Sequence, residues 1–222
     1  TYKKVFSHLR LFVHLISISS QSHLHTHNHT TNRLLRPREI VAALRFKSRM
    51  RTFRKEQAKR DEFRSSDAKY CTFILNKVSR SFAGVIAQLP DELREATCVF
   101  YLALRALDTV EDEMDLSRFE QYSSNETKGC DEKHLRETKI RLMCEFSRRL
   151  KGETGANLKG IGEAFERDLL ENFDRVVRVF KSLKKQYRDV IENITERMSR
   201  GMARYVGRDL RNGTWCSSSK LP

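Results

Sequence analysis

Proline and glycine are scarce, with three and nine in 222 residues. Both interrupt helices, so their scarcity leaves room for long helical runs. No stretch alternates apolar and polar residues as a half-buried strand does, and no segment repeats. No apolar run reaches the roughly 20 residues of a membrane-spanning helix. Cysteine occurs five times, at Cys71, Cys98, Cys130, Cys144 and Cys216. The odd count and the lack of any CxxC argue against a disulfide framework or a zinc site. Cys71 and Cys98 lie within apolar helical runs and read as small buried hydrophobes. Reduced thiols fit a cytosolic face. These absences predict an all-α protein with one sizeable core.

What is abundant is basic charge, and it sits at the front. The net charge is +14. Residues 1–69 hold 16 Lys/Arg against 5 Asp/Glu, leaving 27 against 24 for the rest. A basic front end suits nucleic acid or an anionic membrane surface. No nucleic-acid motif accompanies it, so a solvated tail is expected and no nucleic-acid partner. Residues 1–33 read as a leader outside the fold. They contain a short apolar run behind Lys3 and Lys4, interrupted by His8 and His14, and a tract HLHTHNH. Alternating histidines suit a transition metal, but no carboxylate or cysteine joins them, which favours low complexity.

Pro37 opens a helix, PREIVAALRFKSRM, in the favoured first-turn position. Residues 51–66 read as a loop. One helix is expected from Ala68 to Gln88, and a second restarts at Pro90-Asp91. Ser117 to Gly129 reads as a loop. A helix follows from Glu132 to Leu150, then a glycine-rich connection over 152–162. Two helices close the fold, from Glu163 to Leu183 and from about Lys184 to Val206. Ile191, Ile194, Met198 and Met202 mark the last one's expected core face. Residues 207–222 read as an irregular tail.

The helix after Pro90 reverses the usual amphipathic proportions. Ala96, Val99, Phe100, Leu102, Ala103, Leu104, Ala106, Leu107 and Val110 cover most of its circumference. Arg94, Thr97, Tyr101, Arg105, Asp108 and Asp112 form one polar band, with Thr109 and Glu111 at its margins. A helix of this kind is buried, and its band is expected to face a cavity. Asp108, Glu111 and Asp112 stand at i, i+3 and i+4 on one face. Carboxylates so close repel unless a cation joins them. Mg²⁺ suits one or two carboxylates completed by waters and phosphates. Arg105 lies one turn before Asp108, and Arg80 approaches if the preceding helix packs antiparallel. The set suits an apolar substrate with an anionic leaving group. The plain alternative is a solvated acidic helix end with Asp108 paired to Arg105.

LNKVSRSFAGVIAQLPDELREATCVFYLALRALDTVEDEM resembles the front half of the eukaryotic squalene synthases, within the squalene/phytoene synthase family. The likeness extends back to LLRPREIVAALRFK and forward through ERDLLENFDRVVRVFKSLKKQYRDVIENITERMSRGM, covering most of residues 34–206. Phytoene synthases share the aspartate-rich helix but resemble the SRSF region less. The resemblance implies an isoprenoid synthase fold, here a truncated helical bundle. It implies head-to-head joining of two farnesyl diphosphates to presqualene diphosphate and NADPH-dependent reduction to squalene, in sterol biosynthesis. Carried onto matching positions, Asp108, Glu111 and Asp112 bind Mg²⁺, and Arg80 and Arg105 hold diphosphate and NADPH phosphate. Ser79, Arg80, Ser81, Phe82, Tyr101 and Arg105 bind substrate. Asp108, Asp112 and Arg105 carry catalysis.

The resemblance also implies an endoplasmic reticulum enzyme on the cytosolic face, monomeric, held by a C-terminal membrane anchor. That anchor, the second aspartate-rich motif and the segment YxxYVAGLVG do not appear in this chain. Glu166, Asp168, Glu171 and Asp174 have the wrong spacing to replace the motif. MSRGM stands where the family has MGxGM, placing Ser199 at a glycine position. The expectation is therefore an incomplete chain that makes no squalene alone. Two other readings stay open: a phytoene-synthase-type prenyl transferase without NADPH dependence, and a non-enzymatic basic helical module.

Overall fold

Helix α1, Ser66–Val78, begins where the Ser65 hydroxyl accepts a hydrogen bond from the Ala68 amide at 3.2 Å. That cap satisfies one of the helix's unpaired amides. The computed structural model describes residues 62, 64–123, 131–206, 208–209 and 214–215, with eight further positions from Val41 to Lys59. The leader 1–33 with its histidines, Cys130, Cys216 and most of the tail lie outside the described residues. Two compact units divide the chain, 1–57 and 58–222. In the first, Val41, Leu44, Arg45, Ser48, Arg51, Thr52 and Lys55 are helical, and Thr52 Oγ1 donates to the Ser48 carbonyl at 3.4 Å.

Helical backbone at Arg51, Thr52, Lys55 and Lys59 corrects the expected loop over 51–66. RTFRKEQAKR lacks an apolar stripe, but it is rich in Arg, Lys, Gln and Ala, which favour helix intrinsically. Periodicity is blind to that kind of helix.

The second unit is a helical bundle around one rod. After α1 come α2 (Arg80–Ile86), α3 (Asp91–Asp112), a 3₁₀ helix (Leu116–Tyr122), α4 (Glu132–Cys144) and α5 (Phe146–Lys151). Then follow α6 (Ala164–Glu171), α7 (Phe173–Ser182) and α8 (Lys185–Val206). Arg208–Asp209 and Thr214–Trp215 pair as a two-residue antiparallel ladder, the described strand content of an otherwise helical chain. Helix α3 touches α1, α2, α4, α6, α7 and α8. Val99, Phe100, Leu102, Ala103, Ala106, Leu107 and Val110 are wholly covered. Pro90 precedes its first turn, where Asp91 and Glu92 suit the positive end of the helix dipole.

Four expected helices or loops are subdivided. The helix expected over 68–88 breaks at Ser79, which is extended at φ −158° and ψ 97°. No proline or glycine marks the break, which explains why periodicity missed it. The helix over 132–150 interrupts at Glu145, and that over 163–183 at Asn172. The Asn172 amide bonds the Asp168 carbonyl and carboxylate at 3.1 and 2.8 Å, a local competitor to helical pairing. The expected loop over 117–129 holds the 3₁₀ helix, pinned by fully buried Phe119.

Helix α8 buries Ile191 as expected, but the rest of its inward face is shifted by one residue. Val190, Ile191, Thr195, Ser199 and Ala203 are buried, whereas Ile194, Met198 and Met202 are only half-covered. Thr195, Ser199 and Ala203 are small side chains that let α8 lie close to its neighbours. Ser199 is fully buried, its hydroxyl donating to the Glu196 carbonyl at 2.9 Å. Cys71 and Cys98 are free and buried as expected. Burial pushes both thiols up, Cys98 to about 12.

Candidate active site

The polar band of α3 divides into two parts. Arg94, Thr97, Tyr101 and Thr109 are buried among neighbouring helices. Arg105, Asp108 and Glu111 are half-covered, and Asp112 is exposed. The band therefore emerges from the core along the last two turns of α3. One cavity of the second unit lies elsewhere. It measures about 490 Å³ and is lined by residues of α4, α5 and α8, including Cys144, Arg148 and Arg200. None of the expected site residues lines it.

Two contacts bring the α1–α2 corner to this band. Arg105 Nη2 donates to the Val78 carbonyl at 3.5 Å, at the end of α1. The Phe82 and Tyr101 rings sit 5.0 Å apart at 36°. Ser79 and Phe82 are half-buried at the break, and Arg80 and Ser81 are exposed. The extended Ser79 separates α1 from α2 within the SRSF segment.

The electrostatics of the emerging face are unbalanced. Burial raises the Asp108 carboxyl to about 7, with Asp112 and Glu111 adding to the rise and Arg105 opposing it. Burial and Asp112 also raise Glu111, against the pull of Lys139. Arg105 Nε is buried without a hydrogen-bond partner. A buried guanidinium N–H of this kind costs free energy unless an acceptor meets it. Arg105 and Lys139 offset the raised carboxyls only in part, and Arg105 Nε has no acceptor. A divalent ion with a phosphate would add positive charge beside the carboxylates and an acceptor for that N–H. Among the described residues, no three acidic, histidine or cysteine side chains converge as a metal cage. That agrees with Mg²⁺ chemistry, which uses one or two carboxylates and fills its octahedron with water and phosphate. The residues present fit such an ion.

Three supporting residues were not foreseen. Gly162 adopts φ +79°, and a Cβ there would meet Thr109 Cγ2 at 2.5 Å. Only glycine lets the 152–162 connection lie directly on α3 beside Asp108. Gly162 N donates to Glu113 Oε2 at 3.0 Å. Although burial opposes it, this bond, the Asp115 amide and Arg118 hold the Glu113 carboxyl below its ordinary range. Lys139, on α4, donates to main-chain oxygens at the end of α3. Nothing in the sequence joins residues this far apart. The acidic run after Gly162 lies on α6 and α7, and some of its members make contacts within the bundle. Tyr70 Oη donates to the Asp168 carbonyl at 3.0 Å, and Glu171 Oε1 accepts from Gly160 N at 3.2 Å.

Comparison with known proteins gives this arrangement its context. The family model for squalene/phytoene synthase matches residues 75–216, past residue 206 where the sequence resemblance stopped. Lycopaoctaene synthase of Botryococcus braunii is 36% identical over 179 residues, covering 81% of this chain and 35% of the relative. The squalene synthase of Mus musculus is 38% identical over 146 residues, 66% of this chain and 30% of the relative. The solved complex of TcSQS with the ligand BPH1237 superposes at a TM-score of 0.53 with 40% identity, covering 65% of this chain and 37% of that one. The chain spans about a third of the length of the curated relatives it matches. With the family match over most of its length and an all-α fold shared with a solved relative, the chain belongs to the squalene/phytoene synthase family.

Proposed function

We propose that this protein acts in a squalene synthase-type prenyl transfer, binding farnesyl diphosphate through Mg²⁺ at the end of α3. The observation that carries the reading is the emerging face itself: three neighbouring acidic residues, with Asp108 and Glu111 raised despite Arg105 and Lys139, beside a buried arginine N–H without an acceptor. In this reading one or two of Asp108, Glu111 and Asp112 hold the ion, and Arg105 meets the diphosphate. Ser79, Arg80 and Ser81 approach the phosphates from the α1–α2 corner, and Phe82 and Tyr101 border the prenyl chain. When bound, Mg²⁺ supplies Lewis-acid stabilisation of the leaving diphosphate. Arg105 adds positive charge to the same group as its bond to carbon weakens. The buried apolar wall of α3 excludes water from the carbon left behind.

Joining two farnesyl groups to presqualene diphosphate and reducing it to squalene with NADPH is part of the same proposal. It rests on the squalene synthases among the relatives. NADPH dependence separates it from phytoene-type chemistry. Residence at the cytosolic face of the endoplasmic reticulum and a monomeric state follow from the same resemblance, as does a synthase segment that begins at residue 34. No described helix is long and apolar enough to cross a membrane.

Titration calorimetry with a non-reactive farnesyl thiodiphosphate and Mg²⁺ tests the binding step. The wild-type chain should bind, and binding should require the metal. Asp108→Asn should weaken binding at least tenfold, the equivalent of about 1.4 kcal/mol. Arg105→Lys should weaken it more than it lowers stability, because lysine lacks the planar fork that meets a phosphate. Undiminished binding by Asp108→Asn would remove this face from the proposal.

A further inference from the structure

The last turn of α3 runs against the usual preference. Helix C-termini carry partial negative charge and favour basic residues. Helix α3 ends instead on Asp108, Glu111 and Asp112, with no basic residue in its last turn. Four acidic side chains crowd there once Glu113 is included. The answering charge arrives from another helix.

Lys139, on α4, is only 4% exposed. Its Nζ donates to the Glu111 carbonyl at 2.6 Å and to the Glu113 carbonyl at 2.8 Å. It lies 5.9 Å from the centre of the buried Phe119 ring. A buried ammonium is costly and is tolerated where its protons are used. Here they are used on the carbonyls that the helix end leaves without intrahelical partners, not on a carboxylate that a metal needs. Glu113 is fastened separately, by Gly162 N at 3.0 Å and Arg118 Nη1 at 2.7 Å. The turn bearing Glu111 and Asp112 is thus pinned by Lys139 through the main-chain oxygens of Glu111 and Glu113, and by Gly162 and Arg118 through the Glu113 carboxylate, while the Glu111 and Asp112 carboxylates are left for a ligand.

We propose that Lys139 is a positioning residue for the cation site: it closes the C-terminal end of α3 and holds Glu111 and Asp112 in register with Asp108. Without it, like-charge repulsion in the last turn opens the helix end, and the carboxylates lose their common face. The inference rests on the reading of α3 as a cation–diphosphate site.

Binding of Mn²⁺ to the full 222-residue chain, with free ion counted by electron paramagnetic resonance, tests it. Lys139→Met should weaken Mn²⁺ binding by roughly 10–100-fold, the usual effect of removing a group that orients metal ligands. Lys139→Arg still offers two donors with a charge and should stay within a few-fold of wild type. Circular dichroism melts run alongside. A lowered melting temperature with unchanged Mn²⁺ affinity would assign Lys139 a merely structural role and overturn the proposal. If Lys139→Met does not fold, Lys139→Gln replaces it, and wild-type affinity in that variant likewise overturns the proposal. Asp108→Asn separates the two readings. If it binds Mn²⁺ as wild type does, or wild type binds none, the metal site itself fails whatever Lys139 does.

Discussion

Asp108 is the residue on which chemistry and stability meet. Its carboxyl is held at about 7, against an ordinary 3.8, because burial and two acidic neighbours disfavour the charged form. The folded state therefore keeps a proton that the unfolded chain has released. Stability is greatest below the unfolded value and falls as pH rises from about 4 to about 7. Asp108→Asn removes that penalty. Its stability should exceed wild type's more at pH 8 than at pH 5, by an amount on the order of 2 kcal/mol once screening by water is allowed for, read as a larger rise in melting temperature. Parallel scanning calorimetry at the two pH values checks this. A gain equal at both would mean that Asp108 is not desolvated. Added Mg²⁺ and pyrophosphate should reverse the order at pH 8, stabilising wild type but not the variant. Sequence spacing already placed Asp108, Glu111 and Asp112 on one face, since i, i+3 and i+4 fix that wherever the helix forms. It did not show that Asp108 is half-buried and Asp112 exposed, which depends on what packs beside α3.

At the scale of elements, the site depends on pieces that meet across long stretches of chain. The 152–162 connection rests on α3 only because residue 162 is glycine. Gly162→Ala forces a side chain into φ +79° and onto Thr109 Cγ2. It should cost about 1–3 kcal/mol, read as a lowered urea midpoint. Gly201→Ala is the matched control. That glycine is helical, and a Cβ there meets nothing within 4 Å. It should gain roughly 0.5–1 kcal/mol. Equal effects of the two would show that Gly162 is not held as described. Element type was readable wherever apolar residues recurred at helical spacing, as in α3 and α8. Three kinds of feature were not readable. The segment holding helical Arg51, Thr52, Lys55 and Lys59 has no stripe, the break at Ser79 has no proline or glycine, and the inward face of α8 is shifted from the expected one toward Thr195, Ser199 and Ala203.

For the whole molecule, the family's fold and the end of α3 were both legible, the first from composition and resemblance, the second from DTVED beside Arg105. What supports the end of α3 was not, because Lys139, Gly162 and Arg118 come to it through tertiary packing. The most direct test is crystallographic. Crystals of the chain soaked with Mn²⁺ and pyrophosphate should show an anomalous peak on one or two of Asp108, Glu111 and Asp112. A phosphate should lie between that peak and Arg105. Metal or pyrophosphate seated instead at the α4–α5–α8 cavity near Arg148 and Arg200, with the α3 face bare, would contradict the account.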